Sequence, residues 1–222
     1  MNIDQLVNDT IEITLYILRL FNRKKLHIVG HSWGTILGIL AISQEPHLYK
    51  CCFGVSQIAN VADSEKLSYM KVLEKAKQIG NDKVYIKLSK IGPPPWNNLK
   101  DNRIQQKHIE MFGGRITRDG KMTFRIIKGL LLSGEYTIPD VVRYFKGLNL
   151  QNQVKSVDIP IYFLMGKHDL ISPFEPAKQF FNKIKAPEKQ WIWFKNSAHT
   201  PTFEEEEKFI KILRQIIGPD KI

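Results

Sequence analysis

The spacing of the hydrophobic positions changes several times along this chain, and the changes divide it into helices and strands. Apolar residues three or four apart predict an opening amphipathic helix, with Asn2 and Gln5 placed as a capping box. Short and continuously apolar runs predict buried strands, which cover residues 25–30, 49–56, 159–166 and 189–197. Because helices separate these runs, the pattern predicts an α/β fold with a parallel sheet covered on both faces.

The pattern between the second and third strands is helical throughout. Residues 62–80 form a predicted helix, and the proline-rich stretch "IGPPPWNN" that follows cannot continue one. Further helices are predicted over residues 102–112, 124–132 and 137–146. We therefore expect an all-helical cap over residues 62–155, inserted into a core made of residues 1–61 and 156–222.

Two later helices carry capping signals. Ser172 and Glu175 are spaced as a capping box, and Pro173 between them suits the first turn of a helix. Thr202 and Glu205 form the same pattern at the start of the last predicted helix. Each pair predicts a side chain that caps its own helix.

The segment "IVGHSWGTILG" joins the first predicted strand to the next predicted helix. A Gly-x-Ser-x-Gly sequence at such a junction is typical of a nucleophile elbow, which holds Ser32 in a tight turn at the end of the strand. We expect Gly30 and Gly34 to be glycines because side chains there would collide with the neighbouring helix and strand. His31 is expected to pack or hydrogen-bond locally, and the Trp33 N–H is a candidate oxyanion donor at the start of the helix.

A serine hydroxyl is a weak nucleophile until a base takes its proton, and the base needs an orienting acid. In this fold the order along the chain is serine, acid, histidine. Asp169 in "GKHD" and His199 in "NSAH" each follow a predicted strand in that order, whereas His168 lies too early for a base and Asp158 precedes a strand. Because parallel strands end at one edge of a sheet, we expect Ser32, Asp169 and His199 to converge there.

Composition and charge narrow the function classes. The chain has 222 residues and a formal net charge of +11, but its lysines are spread along it, which favours a lysine-rich surface over a nucleic-acid partner. The adjacent cysteines Cys51 and Cys52 have no third cysteine to pair with and predict buried thiols in a reducing, cytoplasmic compartment. The start of the chain does not resemble a secretory signal, and there is no run of about 20 apolar residues for a membrane span. No spacing of histidines and carboxylates predicts a metal site.

The motifs "GHSWG", "GKHD" and "NSAHTPTFEE" together resemble the α/β-hydrolase family. The chain is most similar to proline-iminopeptidase-like serine hydrolases, whose serine motif more often reads Gly-Gly-Ser-Trp-Gly, so His31 departs from it. The resemblance implies acyl transfer to water without a cofactor: Ser32 attacks a peptide or ester carbonyl, His199 moves the proton and Asp169 orients His199. It predicts an aminopeptidase or a carboxylic-ester hydrolase acting on a small substrate.

The same resemblance implies that glutamates near the cap hold the free amino terminus of a substrate. Glu135 in "LLSGEYT" is one candidate and Glu204 is another, and for both the alternative is a solvated or capping carboxylate. Trp96, Phe112 and Tyr136 are candidates to line the pocket, with ordinary cap core as the alternative.

The family has further strands before the nucleophile strand, and a His-Gly-Gly-type loop there supplies a second oxyanion donor. Here 25 residues precede "LHIVG", whereas those elements need roughly 50 residues or more. We therefore expect an incomplete α/β-hydrolase fold, with the strand over 25–30 as a bare apolar edge that invites self-association. Loss of one oxyanion donor typically lowers turnover by about 10²–10³. An inactive, truncated hydrolase relic or a non-enzymatic binding protein is therefore the alternative to an active enzyme.

Overall fold

A parallel sheet organises the chain in the computed structural model, which describes residues 2–96, 99–113 and 147–218. Within these residues the sheet has four strands: β1 (Leu26–His31), β2 (Tyr49–Val55), β3 (Ile161–Gly166) and β4 (Lys189–Phe194). Their spatial order is β1-β2-β3-β4, and all neighbouring pairs are parallel. The predicted parallel sheet is confirmed, with strand bounds that differ by at most a few residues.

The helices lie before, between and after the strands. They are α1 (Ile3–Leu20), α2 (Gly34–Gln44), α3 (Val61–Gln78), α4 (Asp82–Ile91), α5 (Leu99–Met111), α6 (Leu150–Gln153), α7 (Phe174–Lys183), α8 (Pro201–Glu204) and α9 (Glu206–Ile217). The Asn2 side chain accepts a hydrogen bond of 2.8 Å from the Gln5 N–H, as the capping pattern of α1 predicts. In the described part of the chain, no helix is long and apolar enough to cross a bilayer.

Successive side chains of the central strands point to opposite sides of the sheet, so both faces carry apolar residues. Helices cover both faces. On one side Phe163 packs with residues of α1, α2 and α7, among them Ile39 and Phe180. On the other side Phe53 and Leu164 pack with α9. Full burial of a side chain of this size contributes about 1.5–3 kcal/mol to folding, so these two layers fix the sheet to its helices.

The helices α3, α4 and α5 form a second apolar cluster of their own, centred on Val72, Leu88 and Ile109. Leu170 and Ile171, from the loop after β3, pack against it. The predicted helices over 62–80 and 102–112 are present as α3 and α5, and α4 was not predicted. The helices predicted over 124–132 and 137–146 lie outside the described residues, so the division into core and cap stays a prediction.

Both capping predictions near the carboxyl terminus are wrong. Pro173 is the residue before α7, and the Ser172 hydroxyl is directed to Asp169 instead of to the helix. The last predicted helix is divided into α8 and α9 at Glu205, which places Thr202 inside α8. In both cases hydrogen bonds to the loop before the helix replace the predicted capping bond.

The strand β1 lies at one edge of the described sheet, and its Val29 side chain is 48% exposed. Self-association through this edge stays a prediction. Cys51 and Cys52 on β2 are both buried and free. Burial raises the pKa of each thiol to about 12, so neither is a reactive thiolate near neutral pH.

Candidate active site

Ser32 directly follows β1 and has a left-handed backbone conformation, with φ of 55°. A residue other than glycine is strained there by about 1–3 kcal/mol, so the surrounding bonds must hold it. The Ser32 N–H donates to the Val55 carbonyl at 3.0 Å, and the Ser32 carbonyl accepts from the Thr35 N–H at 2.9 Å. These bonds tie the turn to β2 on one side and to α2 on the other.

The two glycines of the elbow are not equivalent. A Cβ on Gly30 would lie 2.7 Å from the Gly34 carbonyl oxygen and 2.8 Å from the Thr35 Cα, so the predicted collision is confirmed there. A Cβ on Gly34 would meet no atom of the described residues within 4 Å. The collision prediction for Gly34 is therefore wrong, because neither the helix nor the strand beside it comes that close.

Three side chains from three separate strand ends form a continuous hydrogen-bonded series. The Ser32 Oγ lies 3.0 Å from the His199 Nε2, and the His199 Nδ1 lies 2.9 Å from the Asp169 Oδ2. Ser32 follows β1, Asp169 follows β3 and His199 follows β4. Both distances are within the range in which a base can take a serine proton and an acid can orient the base.

The Asp169 carboxylate is 3% exposed, and its own loop surrounds it with donors. The Ile171 and Ser172 N–H groups donate to Oδ1 at 2.8 and 2.9 Å. The Ser172 hydroxyl donates to Oδ2 at 2.8 Å, the same oxygen that faces His199. These bonds offset the cost of burying a carboxylate away from water.

The backbone carbonyl oxygen of His199 accepts two hydrogen bonds that hold its loop in place. The His31 Nε2 lies 2.7 Å from this oxygen and the Ser56 hydroxyl donates to it at 2.9 Å. Because a carbonyl oxygen only accepts, the His31 Nε2 must carry the hydrogen. Partial burial lowers the pKa of His31, and its bond to the His199 carbonyl opposes that effect in part. The expected local hydrogen bond of His31 is thus a bond to the loop after β4 that carries His199, the predicted base (the base loop).

Two glutamates hold the same loop from its other side. The Glu204 carboxylate accepts from the Ala198 and Thr200 N–H groups, the latter at 2.8 Å. This arrangement favours the capping alternative for Glu204 over the predicted contact with a substrate amine. The Glu205 Oε2 accepts from the Asn196 N–H at 3.0 Å and from the Ser197 hydroxyl at 2.7 Å. Burial alone would raise the pKa of Glu205, but these bonds and Lys208 outweigh it and lower the pKa.

Three residues of the site were not predicted from the sequence in these roles: Ser56, Ser172 and Glu205. Ser56 gave a usable signal, because it ends an apolar strand just as Ser32 does. Ser172 stands three residues after Asp169, a spacing at which a hydroxyl can reach a carboxylate in a turn. Glu205 bonds residues earlier in the chain, in the base loop, whereas the helical pattern around it predicted a capping bond within its own helix.

The predicted cap residues fall into two groups. Trp96 is 9% exposed, donates from Nε1 to the Gly92 carbonyl at 2.9 Å and packs against Tyr69, which favours the cap-core alternative. Phe112 is partly buried against the same cluster. Glu135 and Tyr136 lie outside the described residues. Among the residues that are described, no group of three or more His, Cys, Asp or Glu side chains is placed to hold a metal ion.

The sequence pattern described as serine aminopeptidase, S33, matches residues 1–206. The chain belongs to this family. It is 32% identical to the probable aminopeptidase YbaC of Bacillus subtilis, over 96% of this chain and 71% of that protein. It is 23% identical to a proline iminopeptidase of Clostridioides difficile, over 96% of this chain and 72% of that protein.

The fold agrees with the family. A solved α/β-fold hydrolase of Bacillus anthracis superposes on this chain with a TM-score of 0.58 and 16% identity, covering 94% of this chain and 73% of that one. At that identity the likeness shows the fold alone. The predicted α/β-hydrolase resemblance and fold class are confirmed.

Proposed function

We propose that this chain is a serine hydrolase that removes the amino-terminal residue from small peptides. Ser32 is the nucleophile, His199 the general base and Asp169 the acid that orients it. The observation that carries the proposal is the 3.0 Å approach of the Ser32 Oγ to the His199 Nε2, continued to Asp169. Membership of the serine aminopeptidase family supports a peptide bond as the target.

In the proposed reaction, His199 takes the hydroxyl proton as the Ser32 Oγ attacks the substrate carbonyl. The Asp169 carboxylate stabilises the imidazolium that forms, and the Trp33 N–H at the start of α2 is the proposed oxyanion donor. The imidazolium then protonates the departing amine. A water molecule, activated by His199 in the same way, releases the acyl group from Ser32.

A fluorophosphonate probe tests the nucleophile without knowledge of the substrate. We expect it to label wild-type protein at Ser32, and labelling to disappear in Ser32→Ala and in His199→Ala. Circular dichroism of each variant checks that the fold is retained. Folded wild-type protein that takes no label would overturn the proposal and favour the inactive relic or a non-enzymatic binding protein.

Ester hydrolysis is the second candidate, and one observation favours it. In the part of the chain that the structure describes, the Glu204 carboxylate accepts hydrogen bonds from the loop before α8 and is not directed to a substrate amine. An ester substrate needs no such partner, whereas a peptide substrate leaves Glu135 as the candidate. An aminopeptidase should prefer aminoacyl p-nitroanilides over their N-acetylated forms and lose that preference in Glu135→Gln. An esterase should hydrolyse short p-nitrophenyl esters and be indifferent to the same substitution.

A further inference from the structure

Ser172 lies between the acid and the base, and the reaction above gives it no role. Its hydroxyl oxygen is 2.8 Å from the Asp169 Oδ2, 3.2 Å from the His199 Nδ1 and 3.4 Å from the Ser56 carbonyl. The side chain is 1% exposed. Because this hydroxyl is shielded from water, it interacts directly with the charges on Asp169 and His199.

The hydrogens of this group can be assigned from the bonds it makes. The His199 Nε2 must accept from Ser32, so its Nδ1 carries a hydrogen and donates to the Asp169 Oδ2. The Ser172 hydroxyl has one hydrogen, and the Asp169 Oδ2 at 2.8 Å is a much better acceptor than the Ser56 carbonyl at 3.4 Å. The Asp169 Oδ2 is therefore shared between the base and Ser172.

We propose that Ser172 is a positioning residue of this site, whose hydroxyl shares the Asp169 Oδ2 with His199 and thereby limits how strongly the carboxylate holds a proton on the base. The proposal rests on the proposed function, because it assigns Ser172 a part in the same Ser32–His199–Asp169 series. Ser172 touches no reacting atom and acts through Asp169.

The direction of the effect follows from the charge on the carboxylate. Without the Ser172 hydroxyl, less of the Asp169 charge is compensated, and the imidazolium form of His199 is favoured. The titratable side chains that the described residues place against His199 are Asp169 and His31, whose ring centre lies 5.0 Å away. Removal of Ser172 changes neither of these, so any shift in the titration of the base reports on the hydroxyl.

The experiment compares Ser172→Ala with a matched serine. Ser68 is 3% exposed, and its hydroxyl bonds the Leu170 carbonyl in the same loop without contact with the acid or the base. Ser68→Ala therefore removes a similarly buried hydroxyl, on α3, that bonds this loop, and it serves as the control. Ser172→Thr keeps the hydroxyl and serves as the rescue. Thermal melting of all three variants records how far each loses stability.

The first readout is the pH dependence of fluorophosphonate labelling, and of kcat/KM once a substrate is found. In Ser172→Ala we expect the acid limb of the profile to move to higher pH and kcat to fall by about tenfold or less, the equivalent of one hydrogen bond. KM should be unchanged. Ser68→Ala should keep the wild-type profile, and Ser172→Thr should restore it.

The second readout does not need activity. The proton on the His199 Nδ1 should give a downfield NMR resonance, assigned by its absence in His199→Gln, and Ser172→Ala should move it while Ser68→Ala leaves it in place. The inference is wrong if the resonance and the acid limb stay unchanged in Ser172→Ala, or if Ser68→Ala shifts them equally. A wild-type protein that takes no label but shows the expected NMR shift would instead overturn the proposed function alone.

Discussion

Two loops meet at the same rim of the sheet but are held in different ways: the loop after β3 with the proposed acid Asp169 (the acid loop) and the loop after β4 with the proposed base His199 (the base loop). Asp169 obtains its donors from Ile171 and Ser172, two and three residues further on. The carbonyl of His199 is held by His31 and Ser56, which lie 168 and 143 residues earlier in the chain. The acid is therefore held by its own turn. The base loop has local bonds too, to Glu204 and Glu205, but its bonds to His31 and Ser56 form only once β1, β2 and β4 have come together.

This difference separates local from long-range determinants of one site. A change inside the acid loop should act on the chemistry and leave the fold in place. A change in the partners of the base loop should act on both, because the bonds of Glu204 and Glu205 hold the loop to the helices that follow it and those of His31 and Ser56 connect it to other strand ends. The following variants test this contrast in order of decreasing effect.

Asp169→Asn should give the largest loss of activity with the smallest loss of fold. The amide keeps an oxygen for the Ile171 and Ser172 N–H groups but removes the charge that orients His199. We expect kcat/KM to fall by about 10⁴, as in other hydrolases of this type, and the melting temperature to change little. Steady-state kinetics and thermal melting measure the two effects. A large loss of stability would contradict a self-supporting acid loop.

Glu204→Ala should disturb both fold and activity. It leaves the N–H groups of Ala198 and Thr200 without their carboxylate, and unsatisfied buried donors cost about 1–3 kcal/mol. We expect a lower free energy of unfolding in urea together with slower labelling of Ser32. The matched control is Glu207→Ala, an exposed carboxylate in the first turn of α9. Equal effects of the two substitutions would show that Glu204 contributes only charge.

Glu205→Gln should change how stability depends on acid pH. The pKa of Glu205 is lowered from its ordinary value of 4.5, so the unfolded chain takes up this proton at a higher pH than the folded one. Its contribution is present above about pH 4.5 and is lost as the pH falls through the lowered value. Urea unfolding between pH 7 and pH 3.5 should show a shallower decline in Glu205→Gln. An identical decline in both proteins would contradict this role.

His31→Gln should have the smallest effect, since this residue is exposed to solvent. The pKa of His31 is lowered from 6.5, so the folded form resists a proton that the unfolded chain accepts. Its contribution is therefore present above about pH 6.5 and is lost as the pH falls below that. Glutamine keeps an N–H donor and does not titrate, so the variant should lose less stability than wild type between pH 7 and pH 5. A steeper loss in the variant would contradict the assignment.

The sequence was sufficient for the parts of the site that depend on strand order along the chain. Ser32, Asp169 and His199 each follow an apolar run, and parallel strands bring such positions to one rim. That reasoning required the alternation of helices and strands but no knowledge of which strands are neighbours. The Gly30 contact followed equally from the tight turn.

The rest required the three-dimensional arrangement. The bonds from His31 and Ser56 to the His199 carbonyl depend on the spatial order β1-β2-β3-β4, which no local pattern specifies. Ser172 carries a capping pattern, and a buried carboxylate within reach outweighs the cap. A collision at Gly34 was predicted from the motif alone, and no described residue lies close enough to exclude a side chain there.

The backbone conformations of Ser32 and Ser56 have a practical consequence for mutational work. Both residues leave neighbouring strands through a left-handed turn, with φ of 55° and 49°, a geometry that glycine adopts freely. Exchange to glycine at either position removes the hydroxyl and relieves the torsional strain together, whereas exchange to alanine keeps the strain. The difference in stability between the glycine and alanine variants therefore reports the backbone strain. The difference between serine and alanine reports the contribution of the hydroxyl.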